Sequence, residues 1–202
     1  GLKKDFWEYD PLANSWTQKA DFGGTARSGA VGFSIGTKGY IGTGETDYPE
    51  YHVLKDFWEY DPAVNSWTRK KDFGGSARCW SAGFAAGNKG YIGTGINETY
   101  LKDFWEYDPA KNTWTRKAPY PGVKGSNLTA FSIGDKGYMG MSFNYYTGNW
   151  WQKDFYEYDP AANTWTRKAN FGGGRRDWTT AFSIGNKGYV GLGNNGTGQN
   201  EW

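Results

Sequence analysis

The stretch Lys4-Asp5-Phe6-Trp7-Glu8-Tyr9-Asp10-Pro11 decides the fold, because nearly the same eight residues return three more times in the chain. The aspartate of each copy stands at Asp5, Asp56, Asp103 and Asp154, so successive copies are 51, 47 and 51 residues apart. A repeat of roughly 50 residues is typical of a propeller blade. We therefore interpret residues 1–202 as a single domain of four units that start near residues 4, 55, 102 and 153.

Each unit contains four short segments that favour β-strands and no segment with helical periodicity. Residues 6–9 form an aromatic run, and the turn at residues 10–14 carries the proline and Asx side chains of a hairpin. An apolar run at residues 30–35 is followed by the glycine-bounded turn at residues 36–39 and a further short strand. The first unit therefore begins with its third and fourth strands. The sequence predicts an all-β fold with four antiparallel strands per unit.

Residue size along the unit fits a blade that widens outwards. The first strand carries small residues such as Ala30, Gly32 and Ser34, while the third and fourth strands carry Trp and Tyr. Blades arranged around a central channel need slim inner strands and bulky outer ones. The chain has 31 Gly and is 19% aromatic, a composition that suits short strands and tight turns.

The turn at residues 9–16, the glycine-rich segment at residues 22–24 and the strand end at residues 39–44 resemble kelch repeats, particularly bacterial ones related to the galactose oxidase propeller. Here Gly42-Thr43-Gly44 replaces the usual glycine pair. The resemblance implies a kelch-type β-propeller closed by a composite blade, which combines the strands at the two chain ends. Two alternatives stay open: a fragment of a longer protein, or two chains that pair into an eight-bladed ring. We thus expect a monomer or a homodimer.

Charge and cysteine content exclude several classes of partner. The net charge of +2 gives no electrostatic footprint for nucleic acid or an anionic membrane, and no apolar stretch is long enough to span a bilayer. Cys79 is the only cysteine, so no disulfide forms within the chain. Gly1-Leu2-Lys3-Lys4 does not look like a leader. We expect an extracellular or periplasmic location, although the given sequence contains no recognisable targeting signal.

The inventory of reactive side chains argues against an enzyme. The chemistry of galactose oxidase needs several histidine ligands and a Cys-Tyr cofactor, but this chain has one His, at position 52, and one Cys. We expect no metal, no cofactor and no catalytic residue. A glutamate recurs in every unit, as Glu59 does in the second, and such repetition favours a structural role. We expect it to face an arginine, here Arg69, across the hairpin.

The positions at which the four units differ are the candidates for function, because what a blade needs for folding is present in every unit. They fall in the loops from the second to the third strand and in the segments that lead into the first strand. Strand alternation places both sets on one rim, around the mouth of the central channel. The side chains expected to contact a ligand there are Trp80, Trp178, Arg27, Arg78, Arg176, Asp177, Tyr145, Tyr146, Trp150, Trp151 and Tyr51, with Tyr48 and Asn149 beside them.

Aromatic faces beside Arg, Asp and Asn suit a carbohydrate or a peptide. We expect a non-catalytic binding module for a glycan or a protein partner, although Trp80 and Trp178 serve equally well as a plug of the channel. One alternative is a sugar epimerase that resembles the kelch-type sialic acid mutarotases, with Arg176 as the arginine near the channel and either Asp177 or Glu45 as the acid–base group. Another is a structural or engineered repeat protein that has no ligand.

Overall fold

The computed structural model describes residues 1–47, 49–148 and 150–195, and within these ranges the chain is all-β. The sixteen strands are β1 (Phe6–Asp10), β2 (Ser15–Lys19), β3 (Val31–Ile35), β4 (Lys38–Gly42), β5 (Phe57–Asp61), β6 (Ser66–Arg69), β7 (Ala82–Ala86), β8 (Lys89–Gly93), β9 (Phe104–Asp108), β10 (Thr113–Lys117), β11 (Thr129–Ile133), β12 (Lys136–Gly140), β13 (Phe155–Asp159), β14 (Thr164–Lys168), β15 (Thr180–Ile184) and β16 (Lys187–Gly191). No helix occurs in the described ranges.

The strands form three complete blades and two half-blades. Strands β3 to β6, β7 to β10 and β11 to β14 each form a four-stranded antiparallel sheet in chain order. Strands β1 and β2 pair with each other, as do β15 and β16. The prediction of four strands per unit, with the chain starting at a third strand, is confirmed.

The hairpin between the third and fourth strands is held by the side chains that the repeat keeps. Asp61 accepts a hydrogen bond from the backbone N–H of Ala63 at 3.0 Å, and the hydroxyl of Tyr60 donates to Asn65 Oδ1 at 2.9 Å. Asn65 has a φ of 48°, a left-handed conformation that Asn adopts more readily than most residues. This chemistry explains why Asp, Pro and Asn recur at this turn.

Successive blades pack through aromatic rings. Phe57 of β5 lies edge-on to Tyr107 and Trp114 of the next blade, at ring-centroid distances of 4.8 and 4.9 Å. Phe104 makes the same two contacts one blade further along, with Tyr158 at 4.8 Å and Trp165 at 4.9 Å. Both phenylalanines are fully buried. The joint between blades therefore rests on one phenylalanine set between a tyrosine and a tryptophan.

The inner strands form an open arc. β3 contacts β7, β7 contacts β11 and β11 contacts β15, but neither β3 with β15 nor β1 with β16 is in contact within the described residues. The expected closure by a composite blade is therefore not present. Within the described residues, the four inner strands in contact do not bring the two half-blades together.

The recurring glutamate is structural, but its partner was predicted wrongly. The register of β5 and β6 sets Arg69 opposite Trp58 rather than opposite Glu59. Glu59 instead accepts a hydrogen bond from the hydroxyl of Tyr40 at 2.7 Å and lies 3.4 Å from Lys70 Nζ. The same three residue types meet around Glu106 and Glu157 in the other complete blades.

An arginine–aspartate pair ties the segment before the first strand to the third strand. Arg78 is fully buried and donates to both carboxylate oxygens of Asp103 at 2.7 and 2.8 Å. Burial alone would raise the pKa of Asp103, but Arg78 holds that pKa below its usual value. Arg27 and Asp56 form the same pair in the preceding blade.

We predict that the Trp114→Ala substitution lowers the free energy of unfolding by about 3–5 kcal/mol, because it removes the ring that packs on Phe57 and Phe73. Trp16 occupies the same repeat position but is 65% exposed, so Trp16→Ala is the matched control and is expected to cost about 1 kcal/mol or less. Urea unfolding at low protein concentration measures both. Equal costs would contradict the aromatic joint.

We also predict that Arg78→Ala costs about 3–5 kcal/mol, because Asp103 is left as an unpaired carboxylate in a buried setting. Arg116→Ala removes an exposed arginine from β10 and is expected to change stability by about 0.5 kcal/mol or less. Adding Asp103→Asn to Arg78→Ala should recover part of the loss. A double variant less stable than Arg78→Ala alone would show that the ion pair has no such role.

Candidate ligand-binding rim

The variable segments gather at one rim of the arc, as the sequence predicted. In the three complete blades the segment before the first strand forms a β-bridge with the loop between the second and third strands: Ser28 with Glu45, Cys79 with Ile96 and Ser126 with Phe143. In the last half-blade Asp177 forms the same bridge with Asn194, which follows β16. Tyr48 and Asn149 lie outside the described residues, and so does the end of the last variable segment, residues 196–202.

Four equivalent backbone positions line the mouth of the channel. Gly29, Trp80, Asn127 and Trp178 all have left-handed backbones, with φ values of 60°, 55°, 56° and 54°. Trp80 N–H donates to the carbonyl of Gly29 at 2.9 Å, and Asn127 N–H donates to the carbonyl of Trp80 at 3.0 Å. Gly and Asn suit this conformation, whereas a bulky Trp adopts it at a cost of about 1–3 kcal/mol. The two tryptophans therefore occupy strained positions.

The strained tryptophans pack against each other. The rings of Trp80 and Trp178 are stacked, with centroids 6.2 Å apart and an angle of 23° between their planes. They border a cavity of about 320 Å³ whose other walls come from Ala30, Ser81, Leu128 and Thr179 together with Gly29 and Asn127. Trp178 is 61% exposed. The pair thus narrows the channel and still presents an aromatic face to the solvent.

Asp177 connects the channel mouth to the longest variable loop. Its carboxylate accepts a hydrogen bond from Trp151 Nε1 at 3.0 Å and a longer one from Asn127 Nδ2 at 3.5 Å. The residue is 6% exposed, and burial raises the pKa of its carboxyl, although the two donors oppose that rise. Asp177 is therefore a desolvated carboxylate that adjoins Trp178.

Four aromatic side chains at residues 145, 146, 150 and 151 form a compact cluster. Tyr145 packs on Trp150 with centroids 4.7 Å apart, Trp150 packs on Trp151 at 5.6 Å, and Tyr146 contacts Tyr145 at 5.9 Å. Trp150, Tyr145 and Tyr146 are 41%, 57% and 78% exposed. The four residues predicted here are thus brought together, and Trp151 links them to Asp177.

Two residues that shape this loop were missed by the sequence analysis. Asn144 is 1% exposed, donates to the carbonyl of Lys124 at 2.6 Å and accepts from the backbone N–H of Tyr146 at 2.9 Å. The hydroxyl of Tyr100 accepts from the backbone N–H of Tyr145 at 3.3 Å. Asn97 and Asn195 stand at the same repeat position as Asn144, and Asn97 likewise accepts a hydrogen bond from the backbone N–H two residues on, that of Thr99, at 3.0 Å. This recurring asparagine was the signal available in the sequence.

Tyr51 lies on another part of the rim, beside Cys79. Its hydroxyl donates to Glu45 Oε2 at 2.8 Å and lies 4.0 Å from Cys79 Sγ, while the ring is 58% exposed. Burial, with Glu45 nearby, raises the pKa of the Cys79 thiol to about 12. The thiol is therefore protonated at neutral pH and is a poor nucleophile.

The arginines lie away from the cavity between the tryptophans. Arg27 and Arg78 are bound in their ion pairs, so their guanidinium groups are not part of the site proposed below. Arg176 occupies the equivalent position and donates to the carbonyls of Gly174 and Leu192, both at 3.2 Å. Arg175 donates to the carbonyl of Trp151 at 3.1 Å and, with Gly148 and Trp150, lines a cavity of about 330 Å³.

In the third unit Gly125 occupies the position of Arg27 and Arg78. Asp154, the counterpart of their aspartate partners, therefore has no arginine from this position. Asp154 Oδ1 and the Tyr120 hydroxyl are both buried without a hydrogen-bond partner. Burial raises the pKa of Asp154. The first two complete blades have an ion pair at this place. In the third blade the neutral form of Asp154 is favoured instead.

Among the described residues, no group of three or more His, Cys, Asp or Glu side chains is placed to hold a metal ion. Over the same residues, no helix has the length and apolar character needed to cross a membrane.

The comparisons with known proteins identify the architecture. No protein-family model matches the chain, and no curated protein matches it. Among solved structures it is similar to that of YjhT, with a TM-score of 0.78 and 18% sequence identity over 90% of this chain. The chain spans 65% of the length of YjhT. At this identity the likeness shows the fold alone, and together with the repeated four-stranded sheets it shows that the chain has a kelch-like β-propeller fold.

Proposed function

We propose that the chain binds a carbohydrate at the channel mouth, between Trp80, Trp178 and Asp177. The observation that carries this proposal is the stacked tryptophan pair, held in a strained backbone conformation with one ring 61% exposed. Strain of this kind persists where the surrounding structure enforces it and is concentrated at functional sites. A plug of the channel would not require the outer ring to face solvent.

The polar groups beside the tryptophans suit a sugar ring. A saccharide presents an apolar face that stacks on an aromatic ring and hydroxyls that need oriented partners. Asp177 Oδ2 accepts a long hydrogen bond, 3.5 Å, from Asn127, which lines the cavity. A carboxylate oxygen accepts more than one hydrogen bond, so Oδ2 retains capacity for a ligand hydroxyl. The hydroxyls of Ser81 and Thr179 border the same cavity.

The size of the cavity favours a small ligand over a protein surface. Its volume of about 320 Å³ lies near the lower end of the range for small-molecule sites, roughly 300–1,000 Å³. The cluster of Tyr145, Tyr146 and Trp150 lies further out on the same rim and is joined to the cavity through Trp151 and Asp177. We assign this cluster to contacts with the outer residues of a longer glycan.

We predict that Trp178→Ala weakens glycan binding at least tenfold, about 1.4 kcal/mol, because the exposed stacking face is lost. A glycan array identifies the ligand, and calorimetric titration of the best glycan measures the affinity. Trp150→Ala should weaken binding of a longer glycan more than binding of its terminal sugar.

Trp16→Ala is the matched control, since it removes a tryptophan that is equally exposed but belongs to β2 and lies outside the rim. Its affinity should equal that of the unaltered chain. Unchanged affinity in the Trp178→Ala variant would remove the channel mouth from the site, and an array without any bound glycan would contradict the proposal.

A sugar mutarotase is the second candidate. A propeller fold hosts enzymes as well as binding proteins, so the expectation that the chain is not an enzyme has no support from the fold. One observation favours this candidate: Asp177 is a carboxyl with a raised pKa beside an aromatic face, as expected of an acid–base group. Opening and closing of a sugar ring needs a proton donated to one oxygen and removed from another.

For this candidate we expect the chain to accelerate exchange between the anomers of sialic acid, measured by NMR magnetisation transfer at equilibrium. Asp177→Asn keeps the hydrogen bond from Trp151 but removes the titrating group, so the acceleration should disappear. Sugar affinity should fall much less than the rate. Exchange at the buffer rate with the unaltered chain would exclude this activity and leave the binding proposal intact.

A further inference from the structure

We propose that the third complete blade binds a monovalent cation, K⁺ or Na⁺, between the carboxylate of Asp154, the carbonyl of Met141 and the hydroxyl of Tyr120. The cation takes the place of the arginine guanidinium that occupies this position in the first two complete blades. This inference is independent of the proposed sugar site, because the three oxygens belong to the interior of one blade rather than to the channel mouth.

The first two complete blades show what this position normally holds. In the second blade a single nitrogen, Arg78 Nη1, donates both to the carbonyl of Thr94 at 2.9 Å and to Asp103 Oδ1 at 2.7 Å. In the first blade Nη1 of Arg27 makes the same two contacts at the same two distances. A positive charge thus lies at a fixed point between a main-chain carbonyl and a carboxylate oxygen.

The third blade keeps these two oxygens in place but lacks the charge. Gly125 stands at the arginine position, while Met141 and Asp154 stand at the positions of Thr94 and Asp103. The backbone N–H of Met141 donates to the carbonyl of Asp154 at 3.1 Å, and that of Thr94 donates to the carbonyl of Asp103 at the same distance. Met141 and Thr94 also have nearly equal φ values, 63° and 61°. The carbonyl and the carboxylate are therefore held as they are in the second blade.

Asp154 has a buried oxygen that lacks a partner. Its Oδ1 atom is buried and has no hydrogen bond among the residues that the structure describes, whereas Oδ1 of Asp103 accepts from Arg78 Nη1. Buried polar atoms in native proteins are nearly always satisfied by the protein, by ordered water or by an ion. The unsatisfied atom is the one that faces the positive charge in the other blades, so it marks the position of an occupant.

A second buried oxygen adjoins this carboxylate. Phe22 and Phe73 lie under the guanidinium groups of the other two blades, with 4.8 Å from ring centroid to Cζ, and Tyr120 has their repeat position. Tyr120 is fully buried, and its hydroxyl has no hydrogen-bond partner in the described part of the chain. Asp154 Oδ2 and Tyr120 Cζ both lie within 2.7 Å of the position that a Cβ at Gly122 would take. The blade without the arginine therefore has an additional oxygen close to its aspartate.

The chemistry of the three groups and their charge determine which ion suits the site. Carboxylate, carbonyl and phenol oxygens are hard ligands, which favour alkali and alkaline-earth cations over transition metals. The point occupied by Arg78 Nη1 lies 2.7 and 2.9 Å from its two oxygens, farther than the contacts of about 2.3–2.6 Å that Ca²⁺ makes or of about 2.0–2.1 Å that Mg²⁺ makes. Asp154 supplies one negative charge, which one positive charge balances in the other blades. The site therefore suits a monovalent cation.

Cation binding is coupled to the protonation of Asp154. Burial raises the pKa of this carboxyl, while the exposed Arg167 and the hydroxyl of Tyr156 oppose the rise. Burial, with Asp154 nearby, also raises the pKa of Tyr120, so its hydroxyl stays neutral. A bound cation favours the charged form of Asp154, so binding releases a proton, and the cation affinity increases as the pH rises through the pKa of the empty site.

The cation takes over the structural role of the arginine. Arg78 ties the segment before β7 to Asp103 at the start of β9, and in the third blade the cation ties the segment before β11 to Asp154 at the start of β13. Asn127 follows in the same segment and lines the cavity at the channel mouth. Removal of the cation therefore loosens the attachment of this part of the rim.

Urea unfolding of the 202-residue chain in different chloride salts tests the proposal. Potassium chloride or sodium chloride replaces choline chloride at constant ionic strength, because choline is too large for a buried site. We expect the unfolding midpoint to rise with the concentration of K⁺ or Na⁺, since a ligand that binds only the folded state stabilises it by mass action. The rise should be larger at alkaline than at acidic pH, because Asp154 must be charged.

Three conservative variants locate the response. Asp154→Asn keeps the shape of the side chain but removes its charge, so the dependence on K⁺ or Na⁺ should disappear. Tyr120→Phe restores the ring found in the other blades and should require about tenfold more cation for the same rise in midpoint. Asp135→Asn is the matched control, because it removes an exposed carboxylate from the turn between β11 and β12 of the same blade, and it should respond as the unaltered chain does.

Sodium-23 NMR measures the binding directly and needs no variant. The Na⁺ line should broaden when the unaltered chain is added and narrow again when potassium chloride displaces the bound ion. Equal unfolding midpoints of the unaltered chain in all three salts would overturn the proposal, and so would an undiminished cation response in Asp154→Asn. Stabilisation by calcium chloride but by neither monovalent salt would also overturn it, because the charge of the site would then be wrongly assigned.

Discussion

The contact on which the rest of the structure depends is the phenylalanine of each third strand, set between a tyrosine and a tryptophan of the next blade. Phe57 and Phe104 make this contact with ring centroids 4.8 to 4.9 Å apart and are fully buried. Each buried aromatic ring removes roughly 150–250 Å² from water, so each of these phenylalanines makes a large apolar contribution to the joint between blades. The rim segments belong to the blades that these rings hold together, so their positions relative to one another depend on this contact.

The same constraint separates structural from variable positions. The recurring Tyr, Glu and Lys contacts and the Asp-Pro-Asn turn are made in every complete blade, so a ligand cannot depend on them selectively. Variation is tolerated where the aromatic joint is not involved: at the rim loops, at the left-handed positions of Trp80 and Trp178, and at Gly125. This distribution places distinct chemistry at one end of the channel.

Much of this was accessible from the sequence, because the decisive interactions are local. The hairpin turn depends on residues within a span such as Tyr60 to Asn65, and strand alternation alone places the variable segments on one rim. The sequence analysis wrongly predicted that a composite blade closes the ring. Closure depends on how all the blades are oriented relative to one another, which no local sequence pattern determines. The roles of Arg27 and Arg78 were also missed, because their aspartates lie 29 and 25 residues away. The partner of Glu59 was missed because it depends on the register between β5 and β6, which sets Arg69 opposite Trp58.

The aromatic joint is tested most directly at Trp16. This residue occupies the same repeat position as Trp67, Trp114 and Trp165, but no phenylalanine of a preceding blade packs on it within the described residues. Fluorine NMR of the chain labelled with 5-fluorotryptophan, with Trp16 assigned by Trp16→Phe, reports solvent contact through the shift between H₂O and D₂O. The account predicts a larger solvent shift for Trp16, which is 65% exposed, than for Trp67, Trp114 and Trp165, which each pack on a phenylalanine of the preceding blade. Equal solvent shifts for all four tryptophans would contradict it.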